Sequence, residues 1–273
     1  MREFRNKVCV ITGAGSGIGQ ALALDLAGRG ARLALSDIDA ERAAATAERA
    51  AGLGAEVEHY VLDVASRESV YGHAAAVKER FGAVNLVINN AGVALAKDVI
   101  DTPIEDYEWI MGINFWGVLY GSQAFLPHLI ESGDGHLVNI SSVFGIFAVP
   151  GQSGYNAAKF AVRGFTEALR QEMLLAGHPV GVSCVHPGGI ATNIARDART
   201  DQGTAQEFDD AFKKIARTSP AKAAATILKG VEKERARILV GPDAQVLDLM
   251  TRTLGSRYQG LVWRATKRLN PLV

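Results

Sequence analysis

The chain has 273 residues, of which 48% are apolar and 21% are charged, and its 29 basic and 29 acidic residues give a net charge of zero. This length and composition predict a globular protein with a sizeable core, in one or two domains. The balanced charge gives no indication of nucleic-acid binding. Cys9 and Cys184 each lie in a short apolar run, which favours two buried free thiols in a reducing compartment.

Short apolar runs alternate with helical patterns along almost the whole chain. The predicted strands span residues 7–12, 31–37, 55–63, 83–91, 135–141, 180–187 and 236–241. The predicted helices span residues 18–29, 40–51, 67–80, 105–131, 154–176 and 221–233. Several strands are continuously apolar, which is typical of parallel strands buried on both faces. The order predicts an α/β fold, a single-domain Rossmann-type doubly wound parallel sheet over residues 1–242.

The segment 188–218 is polar and charged, and it interrupts this alternation after a strand that should end at the ligand edge of the sheet. We expect it to form a lid over a binding site; the alternative is an ordinary surface excursion. No basic-then-apolar leader precedes the first strand, and no apolar run is long enough to span a membrane. We therefore expect a cytoplasmic protein.

A glycine-rich turn follows the first strand and opens the first helix, with glycines at 13, 15, 17 and 19. Such a turn presents backbone N–H groups and a helix N-terminus to a pyrophosphate, and the missing Cβ atoms allow close approach. The spacing from Gly13 through Gly17 to Gly19 is not G-x-G-x-x-G, and no Gly-Lys-Ser/Thr of a P-loop follows. The turn predicts a dinucleotide site.

Asp37 closes the second predicted strand, eighteen residues after Gly19. A carboxylate at this position accepts hydrogen bonds from adenosine ribose hydroxyls and repels a 2′-phosphate, so NAD is favoured over NADP. Two alternatives stay open: Asp37 caps the next helix, or Asp39 takes either role.

Tyr155 and Lys159 are one helical turn apart, so their side chains point to one face of a helix. A phenol is a poor base at neutral pH, and a nearby ammonium lowers its pKa. The pair is therefore a candidate acid/base unit, although this spacing is also common on solvated helix faces. Ser142 lies thirteen residues upstream of Tyr155.

Together these residues resemble the short-chain dehydrogenase/reductase family over about residues 5–242. The matching positions, in the family's order, are TGAGSGIG at 12–19, Asp37, Asp63, NNAG at 89–92, Asn114, Ser142, Tyr155, Lys159 and the Pro187–Gly188 turn with Thr192. The resemblance implies an oxidoreductase of the EC 1.1.1.- class that interconverts a secondary alcohol and a ketone, or an alcohol and an aldehyde, by hydride transfer. It also implies a homodimer or homotetramer paired through the long helices around 105–131 and 154–176. No metal is expected, because the six histidines are scattered and the two cysteines have no partner at ligand spacing.

The resemblance assigns roles residue by residue. Tyr155 is similar to the family's acid/base, Lys159 to its partner, Ser142 to the group that binds the substrate oxygen, and Asn114 to the residue that kinks a central helix and supports a proton path. Ser141 is the less favoured neighbour, since successive strand residues face opposite ways. The cofactor positions are Gly13, Ser16, Gly17, Ile18, Gly19, Asp37, Asp63, Val64, Asn90, Ala91, Gly92, Tyr155, Lys159, Pro187, Gly188, Ile190 and Thr192.

The residues expected at the substrate are Ser142, Phe144, Val149 and Tyr155, and the segments after Ser142 and after NNAG are largely apolar. They favour an apolar alcohol or ketone, such as a hydroxysteroid or lipid alcohol. The alternative, that these side chains pack a core or a subunit interface, is equally open.

The C-terminal extension, residues 243–273, goes beyond the usual length of the family. Residues 249–273 contain five basic and no acidic residues, and Leu254, Tyr258, Leu261, Ala265 and Leu269 recur at near-helical spacing. We expect a helix that docks on its own or a neighbouring subunit. Peripheral contact with an anionic membrane is the less favoured alternative.

Two other functions remain open. A non-catalytic, cofactor-binding regulator uses the same fold, but such a protein would be expected to lose Tyr155, Lys159 or Ser142. A nucleotide-dependent transferase would explain the glycine-rich turn and Asp37, but not these three residues.

Overall fold

The structure, a computed structural model, describes residues 1, 3–200 and 205–269. Its strands are β1 (Val8–Thr12), β2 (Arg32–Asp37), β3 (Val57–Val61), β4 (Leu86–Asn89), β5 (Leu95–Ala96), β6 (Gly135–Ile140), β7 (Val180–Pro187), β8 (Arg199–Thr200) and β9 (Arg237–Val240). Seven of them form one parallel sheet in the order β3-β2-β1-β4-β6-β7-β9, and β5 pairs with β8 in a separate two-stranded sheet. The predicted doubly wound parallel sheet is confirmed.

The described helices are α1 (Gly17–Gly28), α2 (Ala40–Gly52), α3 (Arg67–Phe81), α4 (Ile104–Met111), α5 (Gly117–Glu131), α6 (Ser153–Leu175), α7 (Ala205–Ile215), α8 (Pro220–Glu232), α9 (Pro242–Leu254) and α10 (Tyr258–Leu269). The sequence predicts one helix over 105–131, whereas the structure has α4 and α5 separated by a π-helical turn, Gly112–Trp116. Within the described ranges, no helix is both long and apolar enough to cross a membrane.

The continuous apolar pattern of the strands reflects a sheet buried on both faces. All five residues of β1 are buried: Cys9 and Ile11 pack in one core layer, and Val8 and Val10 pack in the other. The first layer is completed by α1, α2 and α8, and the second by α3, α5 and α6. With both faces covered, the carboxyl ends of the strands are left as the natural place for a site.

The C-terminal extension docks on its own subunit, but not through every residue of the apolar stripe. Of the expected stripe, Tyr258 is 9% exposed and packs on the body of the protein, but Leu254, Leu261 and Ala265 are exposed. The side chain of Leu269 lies outside the described residues. Leu261 is 48% exposed on this subunit, so docking of the stripe on a neighbouring subunit stays a prediction. The contacts of the extension with its own subunit include those of Ala244 in α9 and of Tyr258 and Val262 in α10.

Candidate active site

The candidate site lies at the carboxyl ends of the parallel strands. Because β1, β2, β4, β6 and β7 are parallel, the residues that follow each of them lie at one edge of the sheet. The glycine-rich turn follows β1, Asp37 ends β2, Asn90–Gly92 follow β4, Ser142 follows β6 soon after its end, and Gly188 follows β7. One edge therefore collects most of the residues that the sequence singles out.

The glycine-rich turn can receive a phosphate group. Gly13 and Gly17 have φ of +63° and +54°, a region that disfavours a side chain, and a Cβ on Gly13 would lie 2.8 Å from the Cα of Ala91. Ser16 is the N-cap of α1 but makes no side-chain capping hydrogen bond. The first N–H groups of α1 have no partner within the helix, and their partial positive charge suits a pyrophosphate.

Asp37 is oriented by the backbone rather than used as a helix cap. Its Oδ2 accepts a hydrogen bond from the Gly15 N–H at 2.8 Å, and its Oδ1 accepts one from the Asp39 N–H at 3.0 Å. Asp39 is the N-cap of α2, accepting from the Arg42 N–H at 3.0 Å. Asp39 therefore takes the role of helix cap, and Asp37 keeps lone pairs that could accept hydrogen bonds from a ligand. Arg42, which sequence reasoning missed, pairs its Nε with Asp39 at 3.1 Å.

Asn90 acts on the turn through its side chain. Its Nδ2 donates to the carbonyl oxygens of Thr12 at 2.9 Å and Gly13 at 3.0 Å. The N–H groups of Asn90 and Ala91 both donate to the Thr12 hydroxyl oxygen. These bonds tie the ends of β1 and β4 together and hold the glycine-rich turn in place.

Asp63 and Val64 follow the end of β3. The carboxylate of Asp63 accepts the Ala65 N–H at 2.9 Å and is otherwise exposed. Val64 is buried, and a Cβ on Gly117 would lie 2.9 Å from its Cγ2. Gly117 therefore lets α5 pack closely under this corner of the site.

Ser142, Tyr155 and Lys159 converge at the centre of the edge. All three side chains are buried, and the Lys159 Nζ lies 5.6 Å from the centroid of the Tyr155 ring. Burial raises the pKa of the Tyr155 phenol, and the side chain of Ser142 is near enough to lower it in part. The hydroxyl of Ser141 instead donates to the carbonyl oxygen of Lys159 at 2.8 Å, so it is Ser142 that faces the phenol.

The pKa values at this centre differ from the expected pattern. Burial raises the pKa of Tyr155 to about 12, and the side chain of Ser142 offsets only part of that rise. Burial also lowers the pKa of Lys159 to about 8. Removal from water dominates both groups, so the net shift of the phenol pKa is upward; that Lys159 lowers this pKa stays a prediction. The phenol is protonated at neutral pH and is ready to donate.

Asn114 lies in the π-helical turn and is fully buried. Its Oδ1 accepts the Val93 N–H at 2.9 Å, and its Nδ2 donates to the Val93 carbonyl at 2.8 Å. A Cβ on Gly92 would lie 3.1 Å from that Oδ1 and 3.4 Å from the Lys159 Nζ. The π-turn, a feature often found at functional sites, thus brings the carboxamide and the ammonium to either side of Gly92.

The turn after β7 is clamped by a residue that sequence reasoning missed. Asp243, at the start of α9, accepts the Gly189 N–H at 2.6 Å, and a Cβ on Gly188 would collide with its carboxylate. Ile190 is buried, and Thr192 crosses to the glycine-rich turn, where a Cβ on Gly17 would lie 3.0 Å from its Cγ2. No local signal marks Asp243, because the contact joins residues 54 positions apart.

An apolar cluster borders Tyr155. It consists of Ala94, Leu95, Ile110 and Tyr155 with the half-buried Val93, Trp109, Phe144, Ile194 and Ala198. Phe144 is the predicted substrate residue closest to the phenol in this cluster, with ring centroids 6.1 Å apart. Val149 packs instead in a second apolar cluster with Phe147 and Tyr258.

The segment after β7 is tied over this cluster. Asp106 accepts hydrogen bonds from Lys97 at 2.9 Å and from Arg199 at 2.8 Å, and the Arg199 guanidinium lies 3.9 Å from the Trp109 ring centroid. The paired cations hold the pKa of Asp106 below its usual value. The part of the predicted lid at 201–204 lies outside the described residues, and the lid function and the division of the chain at residue 242 stay predictions.

A doubly wound parallel sheet with a glycine-rich turn after β1, a carboxylate at the end of β2 and a Ser–Tyr–Lys centre is the arrangement of a dinucleotide-dependent oxidoreductase. The family model described as short chain dehydrogenase matches residues 7–203. The chain belongs to the short-chain dehydrogenase/reductase family, and it is an NAD(P)-dependent oxidoreductase of the EC 1.1.1.- class.

Several relatives are similar over much of their length. A protein of Mycobacterium tuberculosis named "Putative oxidoreductase SadH" is 55% identical over 99% of both chains. The 3-oxoacyl-(acyl-carrier-protein) reductase FabG of Thermotoga maritima is 37% identical over 70% of this chain and 76% of its own. A short chain dehydrogenase/reductase from Burkholderia phymatum, solved in complex with NAD, has a TM-score of 0.87 and 31% identity over 93% of this chain and 95% of its own.

Proposed function

We propose that the protein interconverts a secondary alcohol and the corresponding ketone on an apolar substrate, with NAD(H) and with Tyr155 as the acid/base. The observation that carries the proposal is the buried Tyr155, beside Ser142 and with Lys159 one helical turn away, at the edge of an apolar cluster. The relatives named for oxidoreductase and ketoacyl reductase activity support the same chemistry.

The roles of the residues follow from their placement. In reduction, the protonated Tyr155 donates its proton to the oxygen of the carbonyl, and Ser142 donates a hydrogen bond to the same oxygen as its charge grows. In oxidation, the Tyr155 phenolate accepts the proton of the alcohol. When bound, the nicotinamide supplies the hydride donor or acceptor, and its oxidised form adds a positive charge that favours the phenolate.

Lys159 and Asn114 support the centre. The Lys159 Nζ donates to the carbonyl oxygen of Ile140 at 3.1 Å, which leaves its other two protons for ribose hydroxyls or for the phenol side of the site. Asn114 is held by Val93, so its carboxamide is a fixed neighbour of Lys159 rather than a mobile group. Both residues orient the proton path to and from Tyr155.

NAD is favoured over NADP. The two backbone N–H groups on Asp37 fix a carboxylate where a 2′-phosphate would add a second negative charge. Arg42 is close enough to compensate such a phosphate, but its guanidinium is engaged by Asp39.

An apolar substrate is favoured by the surroundings of Tyr155. The side chains that cluster with it are aliphatic or aromatic, and Phe144 packs edge-on against its ring. Lys97 and Arg199, in the segments next to this cluster, are paired with the buried Asp106, so their charges are not free for an acidic substrate.

A homo-oligomer is proposed on the family's pairing of the long helices. Trp116 and Phe160 lie in the segments concerned, and they are 45% and 39% exposed, so they offer apolar surface for a second copy. Light scattering of the purified protein would measure the mass of the assembly directly.

The decisive experiment compares the wild type with Tyr155→Phe on propan-2-ol, cyclohexanol, a hydroxysteroid and xylitol with NAD. We expect turnover that rises with apolar size in the wild type, and a loss of about a hundredfold or more in Tyr155→Phe with unchanged NADH binding. Full activity in the variant would contradict the role of Tyr155, and turnover of xylitol alone would contradict the apolar substrate. A wild type that binds NADH but oxidises no alcohol and reduces none of the matching ketones would favour the non-catalytic regulator.

A further inference from the structure

We propose that Tyr258, in the C-terminal helix α10, is a positioning residue that fixes one wall of the substrate site and thereby favours large apolar substrates. The wall loop, residues 143–149, connects Ser142 to the region before α6. The proposal rests on the proposed function, because it concerns the substrate side of the same Tyr155 centre.

The wall loop is anchored at both ends by the body of the protein. At its start, the Nδ1 of the buried His186 lies 2.8 Å from the carbonyl oxygen of Ser142. At its end, the Nδ2 of Asn156 donates to the carbonyl oxygen of Val149 at 2.9 Å. Both anchors come from β7 and α6, which also carry the catalytic centre.

A further hydrogen bond, near the C-terminal end of the wall loop, is made by the C-terminal extension. The N–H of Ala148 donates to the phenol oxygen of Tyr258 at 3.0 Å, and these residues are 110 positions apart. Ala148 is exposed, whereas Tyr258 is only 9% exposed. A buried hydroxyl bonded to a loop N–H fixes both the position of the loop and the orientation of the ring.

An unbroken chain of aromatic contacts links Tyr258 to the catalytic phenol. The rings of Tyr258 and Phe147 are 6.2 Å apart, those of Phe147 and Phe144 are 5.2 Å apart, and those of Phe144 and Tyr155 are 6.1 Å apart. Each pair is arranged edge to face, at interplanar angles of 85°, 76° and 89° respectively. Such pairs have preferred geometries, so a shift of one ring displaces the next.

Phe144 is the point at which this chain meets the substrate site. It is half-buried and belongs to two apolar clusters, one around Tyr155 and one around Tyr258 and Phe147. A substrate that fills the apolar space beside Tyr155 contacts the face that Phe144 presents. A small alcohol that occupies only the space at the hydroxyl groups of Ser142 and Tyr155 does not depend on that face.

Tyr258 is suited to this role because α10 docks at few points. Leu254 and Leu261, on the turns before and after it, are 36% and 48% exposed. Val262 packs in the same cluster as Tyr258 and extends the contact by one turn. Leu261 therefore offers a matched control, since it lies on the same helix and is far more exposed.

The experiment uses the full chain with Tyr258→Phe, Tyr258→Ala and the control Leu261→Ala. Hydrogen–deuterium exchange of the peptide that contains Ala148 is measured first, since it requires no substrate. We expect exchange about fivefold faster at this amide in Tyr258→Phe and faster still in Tyr258→Ala, with no change in Leu261→Ala. Exchange that is equal in all four proteins would overturn the proposal.

The second measurement compares kcat and KM with NAD for propan-2-ol and for a hydroxysteroid. We expect Tyr258→Ala to lower kcat/KM for the steroid by about tenfold or more through KM, and for propan-2-ol by less than about twofold, because only the larger substrate uses the wall. Tyr258→Phe keeps the ring and should recover most of the steroid activity. An equal loss on both alcohols, or a change in NADH affinity, would overturn the role in the wall.

The exchange and kinetic measurements distinguish failure of the role of Tyr258 from failure of the proposed function. A wild type inactive on every alcohol would refute the proposed function, and the exchange result would still decide whether Tyr258 fixes the loop. If Tyr258→Ala does not fold, Tyr258→Leu, which removes the ring and the hydroxyl but keeps an apolar side chain, replaces it in the kinetic measurement, and Tyr258→Phe carries the exchange measurement.

Discussion

A buried histidine on α3 offers a sharp test of the energetics of this fold. His73 is 6% exposed and packs edge-on against Tyr60 and Phe125, with ring centroids 4.7 Å and 5.7 Å away. Within the described residues, neither ring nitrogen has a hydrogen-bond partner. Replacing it by phenylalanine keeps an aromatic ring in the same space and removes two unpaired polar atoms.

The size of the effect follows from the burial of the imidazole. Burial lowers the pKa of His73 from 6.5 to about 4. Above pH 6.5 the imidazole is neutral in both the folded and the unfolded chain, so its titration costs nothing. Between pH 6.5 and pH 4 the unfolded chain binds a proton that the folded chain does not, and the free energy of unfolding falls. At about 1.4 kcal/mol per pH unit, the loss is about 2 kcal/mol by pH 5 and about 3 kcal/mol by pH 4.

The assay is urea unfolding followed by circular dichroism at pH 7.5, 6 and 5. The wild type should lose about 2 kcal/mol more stability than His73→Phe between pH 7.5 and pH 5. The buried His136 and His186 are present in both proteins, so their own titration cancels in the comparison. The control His178→Gln changes an exposed histidine and should leave the pH dependence of the wild type unchanged. Wild type and His73→Phe with the same pH dependence would refute the reasoning.

Two further predictions concern the cofactor side and the segment over the site. Asp37→Asn should weaken NADH binding by about tenfold and narrow the preference for NADH over NADPH. Fluorescence titration with both cofactors measures the affinity and the preference, and an unaltered preference in Asp37→Asn would show that the carboxylate does not select the cofactor. Asp106→Asn should accelerate tryptic cleavage at Arg199, because the variant leaves the cations of Lys97 and Arg199 without their shared carboxylate. Cleavage at the wild-type rate would mean that this carboxylate does not hold the segment.

The sheet was predictable because its physics is local. Parallel strands buried on both faces must be apolar throughout, and all seven predicted strands of the main sheet occur in the structure. The position of Asp37 followed from its place at the end of a parallel strand, and the shared face of Tyr155 and Lys159 followed from helical spacing. The role of Ser142 came from the resemblance to the family.

The break in the central helix was not predictable in the same way. Residues 105–131 carry a helical pattern that gives no period change at Gly112–Trp116. Asn114, in the π-turn, accepts a hydrogen bond from the N–H of Val93, twenty-one positions earlier. Helical periodicity does not predict such a contact. The resemblance implied a kink at Asn114, and in the structure this residue lies in the π-helical turn between α4 and α5.

The chemistry of the centre depended even more on distant contacts. The sequence pairs a phenol with an ammonium, and on that basis a lowered phenol pKa is expected. The folded chain buries both groups, and the cost of removing charge from water raises the pKa of Tyr155 and lowers that of Lys159. The solvent exposure of Tyr155 and Lys159 depends on the whole folded chain, so it cannot be predicted from their spacing in the sequence.

By itself, then, the amino-acid order determined the sheet, the family and the helix face shared by Tyr155 and Lys159, because periodicity and short-range sterics act over a few neighbouring residues. Only the tertiary structure decided that Asp39 rather than Asp37 caps α2, that Asp243 clamps the turn after β7, and that Tyr258 reaches the loop beside Ser142. The bonds from Gly15 to Asp37, from Gly189 to Asp243 and from Ala148 to Tyr258 join residues 22, 54 and 110 positions apart, and they exist only where packing of the whole core brings the partners together.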